Sequence, residues 1–348
     1  MSAPIRVLIA DDSLTVRHAL RALLAEERDV QVVGEAADGG EAIALARRLR
    51  PDVVTMDVMM PGVDGLRATE EIMAVAPTRI IVISQLAATQ QDLAFRALAS
   101  GALELMAKPA TFVAEDLLRW GRAVATAIRL MHEVPVVTRR RTTHGTIAPF
   151  DQTGPVHALG VVASTGGPQI IAQILTGLPA DLPIPILVAQ HIADGFVDGL
   201  ARWFSQVTPL KVEIARCASR ALPAHVYLPP AGHSLVLERD GTLGLRRCPG
   251  SLCPSGDATL FSLAASLGAR AAGIVLSGMG EDGAQGLAAI RRAGGVTLAQ
   301  DEASCVVYGI PRAAVAAQAV AHIATPEEMA PFIIRAAARA PIPEEGNE

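Results

Sequence analysis

Short apolar runs alternate with amphipathic stretches along most of this chain. Five runs, IRVLIA, VQVVGEA, DVVTM, RIIVIS and ALELMA, recur between Ile5 and Met131. Short Val- and Ile-rich runs predict the interior strands of a parallel sheet, and strict alternation with helical segments places helices on both of its faces. A second series, HALGVVA, IPILVAQ, KVEIA, HVYLPP, SLVLE, GIVLSG and VTLAQ, fills about His157 to Ala337. Between the two series VPVVTRRRTTHGTIAPFDQTGP has Pro, Thr, Arg and Gly but neither period, and reads as a linker. The expectation is an α/β chain of two doubly wound parallel-sheet domains. The first spans 1–126, a helix end and linker 127–155, the second domain 156–338 and a polar tail 339–348.

Composition narrows the class. The 348 residues fit about two domains, and 51% apolar content is ordinary for globular material. With 30 Lys and Arg against 35 Asp and Glu, the balance is mildly acidic and does not suit nucleic acid. Arg139, Arg140 and Arg141 read as a solvated connector rather than a basic arm. The opening MSAPIRVLIADDS has no signal-peptide pattern, and no run approaches the ~18 apolar residues of a membrane helix. Cys217, Cys248, Cys253 and Cys305 show neither zinc spacing nor the density of a secreted disulfide scaffold. A cytoplasmic, thiol-reduced protein without membrane insertion is expected.

Acids gather where the strands of the first unit end. Asp11 and Asp12 follow the first strand, Asp57 closes the third, Ser84 the fourth, and Lys108 before Pro109 the fifth. Three carboxylates brought together repel unless a cation joins them, and a small hard ion with oxygen ligands, Mg²⁺, is implied. A carboxylate beside Mg²⁺ can accept a phosphoryl group while the Lys108 ammonium neutralises charge on the transferred oxygens. Helix capping by Asp11, Asp12 and Asp64 is the plainer reading of individual acids, but it does not explain the set.

In the second unit three polar residues stand just past apolar runs: Ser164 in ASTGGP, His191 after IPILVAQ, and Asp282 in SGMGEDG. Each has a bland reading. Ser164 can cap the helix that follows, although Thr165 can take that role, His191 can be a hydrogen-bonded histidine at the core's rim, and Asp282 can cap GAQGLAAIRRAGG. Jointly they supply a hydroxyl to attack, an imidazole to take its proton and a carboxylate to orient the ring. The surroundings are not a GxSxG elbow, because Val162 occupies the first Gly position, and GVVASTGG lacks the GxGxxG spacing. A phosphorylation-controlled binding module without hydrolase activity, and a nucleotide enzyme holding phosphate on the STGG amides, are the competing classes. A DNA-binding output domain is set aside for want of a basic recognition helix.

Through VLIADDS, VVTMDVMMPGVDG, VIS and AKP, residues 1 to about 126 resemble a response-regulator receiver domain. The resemblance implies a flavodoxin-like fold with Asp57 as phosphoacceptor. It implies Mg²⁺ ligated by Asp12, Asp57 and the backbone carbonyl of Met59, with Asp11 acting through water. Ser84 and Lys108 would carry the signal outward, and a chemotaxis-type histidine kinase would be the phosphodonor. Leu105 departs from the family, which usually has an aromatic switch residue three positions before its lysine.

VVASTGGP, LVAQH, VYLPPAGHSLVL, PSGDATLFSLAASLG, IVLSGMGEDGAQGL and LAQDEASCVVYGIPRAA together resemble the catalytic domain of CheB-type protein-glutamate methylesterases over nearly all of residues 156–338. That resemblance implies a Rossmann-like serine-hydrolase domain that needs no cofactor. Ser164 would attack the methyl ester of a glutamate on the cytoplasmic domain of a methylated chemoreceptor, releasing methanol, and receptor glutamines would be deamidated by the same acyl chemistry. His191 would be the base and then the acid, with Asp282 orienting it, Thr165 helping to position it and the Met279 N–H stabilising the oxyanion. An unphosphorylated receiver would restrain this activity.

Overall fold

The computed structural model describes residues 3–109, 111–134, 156–248 and 253–338. The linker from 135 to 155, with Arg139–Arg141, and the tail 339–348 lie outside these residues. The chain divides into two compact units, 1–143 and 144–348.

In the first unit the strands are Ile5–Ala10 (β1), Val30–Ala36 (β2), Val53–Asp57 (β3), Arg79–Ser84 (β4) and Glu104–Ala107 (β5), in the order β2-β1-β3-β4-β5, all parallel. These are the five apolar runs of the sequence. The order reverses between β1 and β3, and that switch point sets Asp11 and Asp12 beside Asp57. Helix starts follow local chemistry. Asp64 accepts from the Arg67 N–H at 2.8 Å and caps the helix Gly65–Val75, as the sequence suggests. Neither Asp11 nor Asp12 caps the helix Leu14–Ala25. Ser13, directly before its first residue, takes that role by accepting from Val16 N, which leaves Asp12 for other work.

The second unit has Ala158–Ala163 (β6), Ile186–Gln190 (β7), Lys211–Ile214 (β8), His225–Leu228 (β9), His233–Leu237 (β10), Leu243–Arg247 (β11), Ala271–Val275 (β12), Val296–Gln300 (β13) and His322–Ala324 (β14). Seven of them form one parallel sheet in the order β14-β13-β12-β6-β7-β9-β8. The expected SLVLE strand is not in that sheet. It is β10, which pairs antiparallel with β11 across the Asp240-Gly241 turn, and an Asp-Gly pair between apolar runs is the signal that marks such a hairpin. The seventh place goes to β14, three residues at the edge, too short to show a pattern.

Every residue of β6, β7 and β12 is buried, as strands covered on both faces require. Val162, Leu187, Leu260, Leu287 and Ile310 belong to the core cluster of this unit. The connections from β6 and β12 lead away to opposite halves of the sheet, so their adjacent carboxyl ends form its switch point.

The expectation of reduced thiols is corrected at one pair. Cys248, at the end of β11, and Cys253, before the helix Gly256–Leu267, are disulfide-bonded with Cα atoms 5.8 Å apart. Cys217 and Cys305 are free. A spacing of five residues does not reveal that the hairpin brings the two Cα atoms into bridging range.

Val162, which stands where a GxSxG elbow would have its first glycine, fills space left by two other glycines. A Cβ on Gly256 would lie 2.3 Å from Val162 Cγ1, and one on Gly283 would lie 2.9 Å from the same atom. Gly256→Ala should therefore cost about 1–3 kcal/mol by overpacking. In a Val162→Ala background the penalty should shrink, and urea unfolding of the four proteins of that cycle reads the coupling.

Candidate active site

Sheet register brings the sequence-predicted residues together. Ala163 pairs with Gln190 and Val162 with Val275, so Ser164 and His191, one residue further on, leave neighbouring strands side by side. The His191 N–H donates to the Ala163 carbonyl at 2.9 Å. Ser164 is anchored by its backbone: its N–H donates to Ser277 O at 3.0 Å and its carbonyl accepts from Gly167 N at 2.8 Å. Its hydroxyl makes no hydrogen bond among the described residues.

Neither Ser164 nor Thr165 caps the helix Gly167–Thr176. Gly166 stands at that position with φ 75° and no side-chain cap is made, because the chain must bend there through a conformation glycine favours. Ser277 Oγ holds the turn by donating to Thr165 O at 2.8 Å. Since Gly167 N is already bonded to Ser164 O, the STGG turn does not present that amide to a phosphate.

Asp282 also departs from its bland reading. Gly283, not Asp282, is the N-cap of the helix Ala284–Arg292. The Asp282 carboxylate instead sits at the start of a different helix, Gly256–Leu267. Oδ2 accepts from Gly256 N at 2.6 Å and meets His191 Nε2 at 2.9 Å, while Oδ1 accepts from Asp257 N at 2.9 Å and the Ser255 hydroxyl at 3.3 Å. The arrangement is reciprocal, since Asp257 Oδ1 accepts from Gly286 N, in the first turn of the helix that follows Asp282, at 2.7 Å.

Burial alone would raise the Asp282 carboxyl. The His191 bond and the amides of Asp257 and Gly256 outweigh it, holding the group below its ordinary 3.8. Asp257 lacks a histidine, and burial together with the charge of Asp282 pushes it up. Ser255, Gly256 and Asp257, which hold the Asp282 carboxylate, are residues that the sequence reading missed. The Ser-Gly-Asp run opening an apolar helical stretch is a capping signature that could have found them.

The turn after β12 backs onto the serine. A Cβ on Gly278 would lie 2.7 Å from Ser164 Cβ and 2.9 Å from its N. Next to it, Met279 has an exposed side chain, and its N–H has no acceptor among the described residues.

In the first unit Asp11, Asp12 and Asp57 present carboxylate oxygens within 4.8 Å of one another. Lys108 Nζ bonds Asp11 Oδ2 and Asp57 Oδ2, each at 2.8 Å. Burial pushes Asp57 up to about 6 against the opposing pull of Lys108, and raises Asp11 as well. Burial would lower the Lys108 ammonium, but its two carboxylate partners together raise it. Met59 N–H donates to Asp57 Oδ1 at 3.4 Å. Ser84, at the end of β4, donates to Gln85 O at 3.2 Å and Gln90 Oε1 at 3.3 Å, and makes no hydrogen bond to Asp57 among the described residues. Leu105 is buried.

Residues 159–333 match the CheB methylesterase family, and residues 7–118 match the response regulator receiver domain family. The protein-glutamate methylesterase/protein-glutamine glutaminase 3 of Myxococcus xanthus (strain DK1622) is 54% identical over 313 residues, which cover 89% of this chain and 88% of that protein. The enzyme of the same name from Anaeromyxobacter dehalogenans (strain 2CP-C) is 41% identical, over 94% of this chain and 97% of its own. Among solved structures, the Thermotoga maritima CheB methylesterase catalytic domain aligns with TM-score 0.50 at 28% identity, over 52% of this chain and 98% of that one. Fold and site thus define a response-regulator receiver joined to an ester-hydrolase domain. The chain belongs to the CheB family of protein-glutamate methylesterases.

The sign of the Asp282 shift fixes a pH dependence. A carboxyl depressed in the folded state adds stability that is complete above its unfolded value and is lost as pH falls through the folded one. The stability difference between the wild type and Asp282→Asn should shrink as pH falls below about 4, as urea titration at each pH will read.

Proposed function

We propose that the second unit hydrolyses glutamate γ-methyl esters on the cytoplasmic domains of methylated chemoreceptors, and that phosphorylation of Asp57 raises its rate. The observation that carries the reading is the His191–Asp282 pair, 2.9 Å apart, with Asp282 buried and His191 half-buried, one strand end away from Ser164. With Nε2 turned to Asp282, His191 Nδ1 is the nitrogen left for the serine proton. Ser164 Oγ attacks the ester carbonyl carbon as its proton passes to His191. The tetrahedral oxyanion receives the Met279 N–H, a donor worth about 3 kcal/mol in comparable sites. The carbon–methoxy bond then breaks, the leaving oxygen takes the proton from His191, and methanol departs. Water gives a proton to His191 and attacks the acyl carbon, freeing the glutamate carboxylate and the Ser164 hydroxyl. With a glutamine side chain the same steps release ammonia, the second activity in the names of the Myxococcus and Anaeromyxobacter relatives. Asp282 holds the ring and balances its charge, and Thr165, with its carbonyl bound by Ser277, helps to place it.

In the receiver, the three clustered carboxylates are hard oxygen donors of the kind Mg²⁺ takes. Asp12, Asp57 and the Met59 carbonyl would hold the ion, with Asp11 acting through water, and when bound it neutralises phosphoryl oxygens. The Lys108 ammonium, already on Asp57, does the same from the protein side. A chemotaxis-type histidine kinase donates the phosphoryl group: its phosphorus–nitrogen bond breaks as a bond to an Asp57 oxygen forms. Ser84 then donates its hydroxyl to the acyl phosphate, giving up its bond to Gln90. Among the described residues no helix is long and apolar enough to cross a membrane, consistent with work in the cytoplasm on receptor tails.

Methanol release from methylated receptor membranes tests the chemistry. Ser164→Ala should lose at least ~10³-fold in turnover, and Asp282→Asn about 10⁴-fold. No methanol release above background by the wild type would leave only a binding module, and unchanged release by Ser164→Ala would remove Ser164 from the role of nucleophile. For regulation, acetyl phosphate or beryllofluoride should raise wild-type turnover and leave Asp57→Asn unmoved. Equal rates with and without phosphodonor in the wild type would refute the control by Asp57.

A further inference from the structure

Gln190 is the last residue of β7 and is only 3% exposed. Its Nε2 donates to two carbonyls at once, Ser164 O at 2.9 Å and His191 O at 2.8 Å. One amide therefore joins the backbone of the proposed nucleophile to that of the proposed base, which the sequence places 27 positions apart. Turning the amide over would set its oxygen against two carbonyl oxygens, so the donor orientation is fixed by electrostatics. The other end of the group is a sacrifice. Gln190 Oε1 is buried without a hydrogen-bond partner, and leaving such an acceptor dry costs about 1–3 kcal/mol. A residue kept only for packing would not carry that cost, because leucine or methionine fills the same volume without it.

The neighbouring glycine fits the same account. A Cβ on Gly167 would lie 2.4 Å from Gln190 Oε1 and 2.5 Å from Ala163 Cβ. The first position of the helix after Ser164 is thus kept clear for the amide. Gly167 N also donates to the Ser164 carbonyl, so that oxygen has two donors and the serine's backbone has no slack.

We infer that Gln190 is a positioning residue for acyl transfer: its amide fixes the separation of Ser164 from His191 by clamping both carbonyls, and touches neither the substrate nor the reacting atoms. The inference rests on Ser164 and His191 being nucleophile and base. Proximity is where such a residue acts, since a displacement of ~1 Å at a reacting pair costs on the order of 10²-fold in rate. The clamp should therefore show in kcat and in the intrinsic reactivity of the serine, with substrate affinity left alone.

The test uses the full-length chain with phosphodonor, methylated receptor membranes, and a fluorophosphonate probe that labels activated serines. Gln190→Leu keeps the volume and removes both donors, Gln190→Glu keeps the shape and presents no donor when ionised, and Gly167→Ala pushes the amide away. Each is expected to lower kcat 10- to 100-fold with KM within about twofold of wild type, and to slow labelling per folded molecule by a similar factor at temperatures well below its melt. Wild-type labelling per folded molecule in any variant that folds, or a fall in kcat that only tracks the folded fraction, overturns the clamp while leaving Ser164 in its role. Ser164→Ala is the separating control: if it still releases methanol, the nucleophile assignment fails, and the clamp with it. If Gln190→Leu does not fold, Gln190→Glu and Gly167→Ala decide by the same two readouts.

Discussion

A carboxylate buried at the amino end of a helix is the constraint on which the second unit is built. Isolated, such a charge is costly in the interior and tends to neutralise. Asp282 escapes this because two amides at the start of Gly256–Leu267, the Ser255 hydroxyl and His191 all donate to it, and the helix dipole adds to their pull. Asp257 returns the favour to the helix that begins after Asp282. Two helices therefore cap each other through their neighbours' carboxylates, and the loop carrying the acid cannot shift unless both starts are disturbed. Val162 beneath, filling the space beside Gly256 and Gly283, closes the arrangement from the sheet side.

The same construction principle serves both units. Each sheet reverses its order near the middle, and each puts its chemistry just past the carboxyl ends of the strands at that reversal. The solutions differ in sign. In the receiver the convergence is of like charges, so burial and mutual repulsion raise Asp57 and Asp11 and call for cations, of which Lys108 is already one. In the second unit a single acid meets an imidazole and a ring of N–H groups, and stays ionised.

Much of this was legible from residue order. Apolar runs mark all five receiver strands and six of the seven strands of the second sheet, most plainly β3, β6, β7, β12 and β13, which are buried along their whole length and have no polar alternation to confuse them. Strand ends then point to Asp57, Lys108, His191 and Asp282 without knowledge of the fold. What stayed hidden depends on partners distant in sequence. Asp282 reads as a local cap, yet it caps a helix that precedes it in the chain. The pairing of Cys248 with Cys253 depends on where a hairpin ends. β14 is too short for periodicity, and β10 looks like any buried strand until the Asp240-Gly241 turn is weighed. Gln190 gives no sequence signal at all, since a glutamine at the end of an apolar strand reads as its solvated terminus.

The His191–Asp282 bond spans 91 positions, and three separate turns supply the groups that gather at this rim. Ser164 and His191 leave the consecutive strands β6 and β7, but Asp282 follows β12, which pairs with β6 through residues as distant in sequence as Val162 and Val275. The rim that gathers Ser164, His191 and Asp282 is thus complete only once β12 has joined β6 and β7 in the sheet.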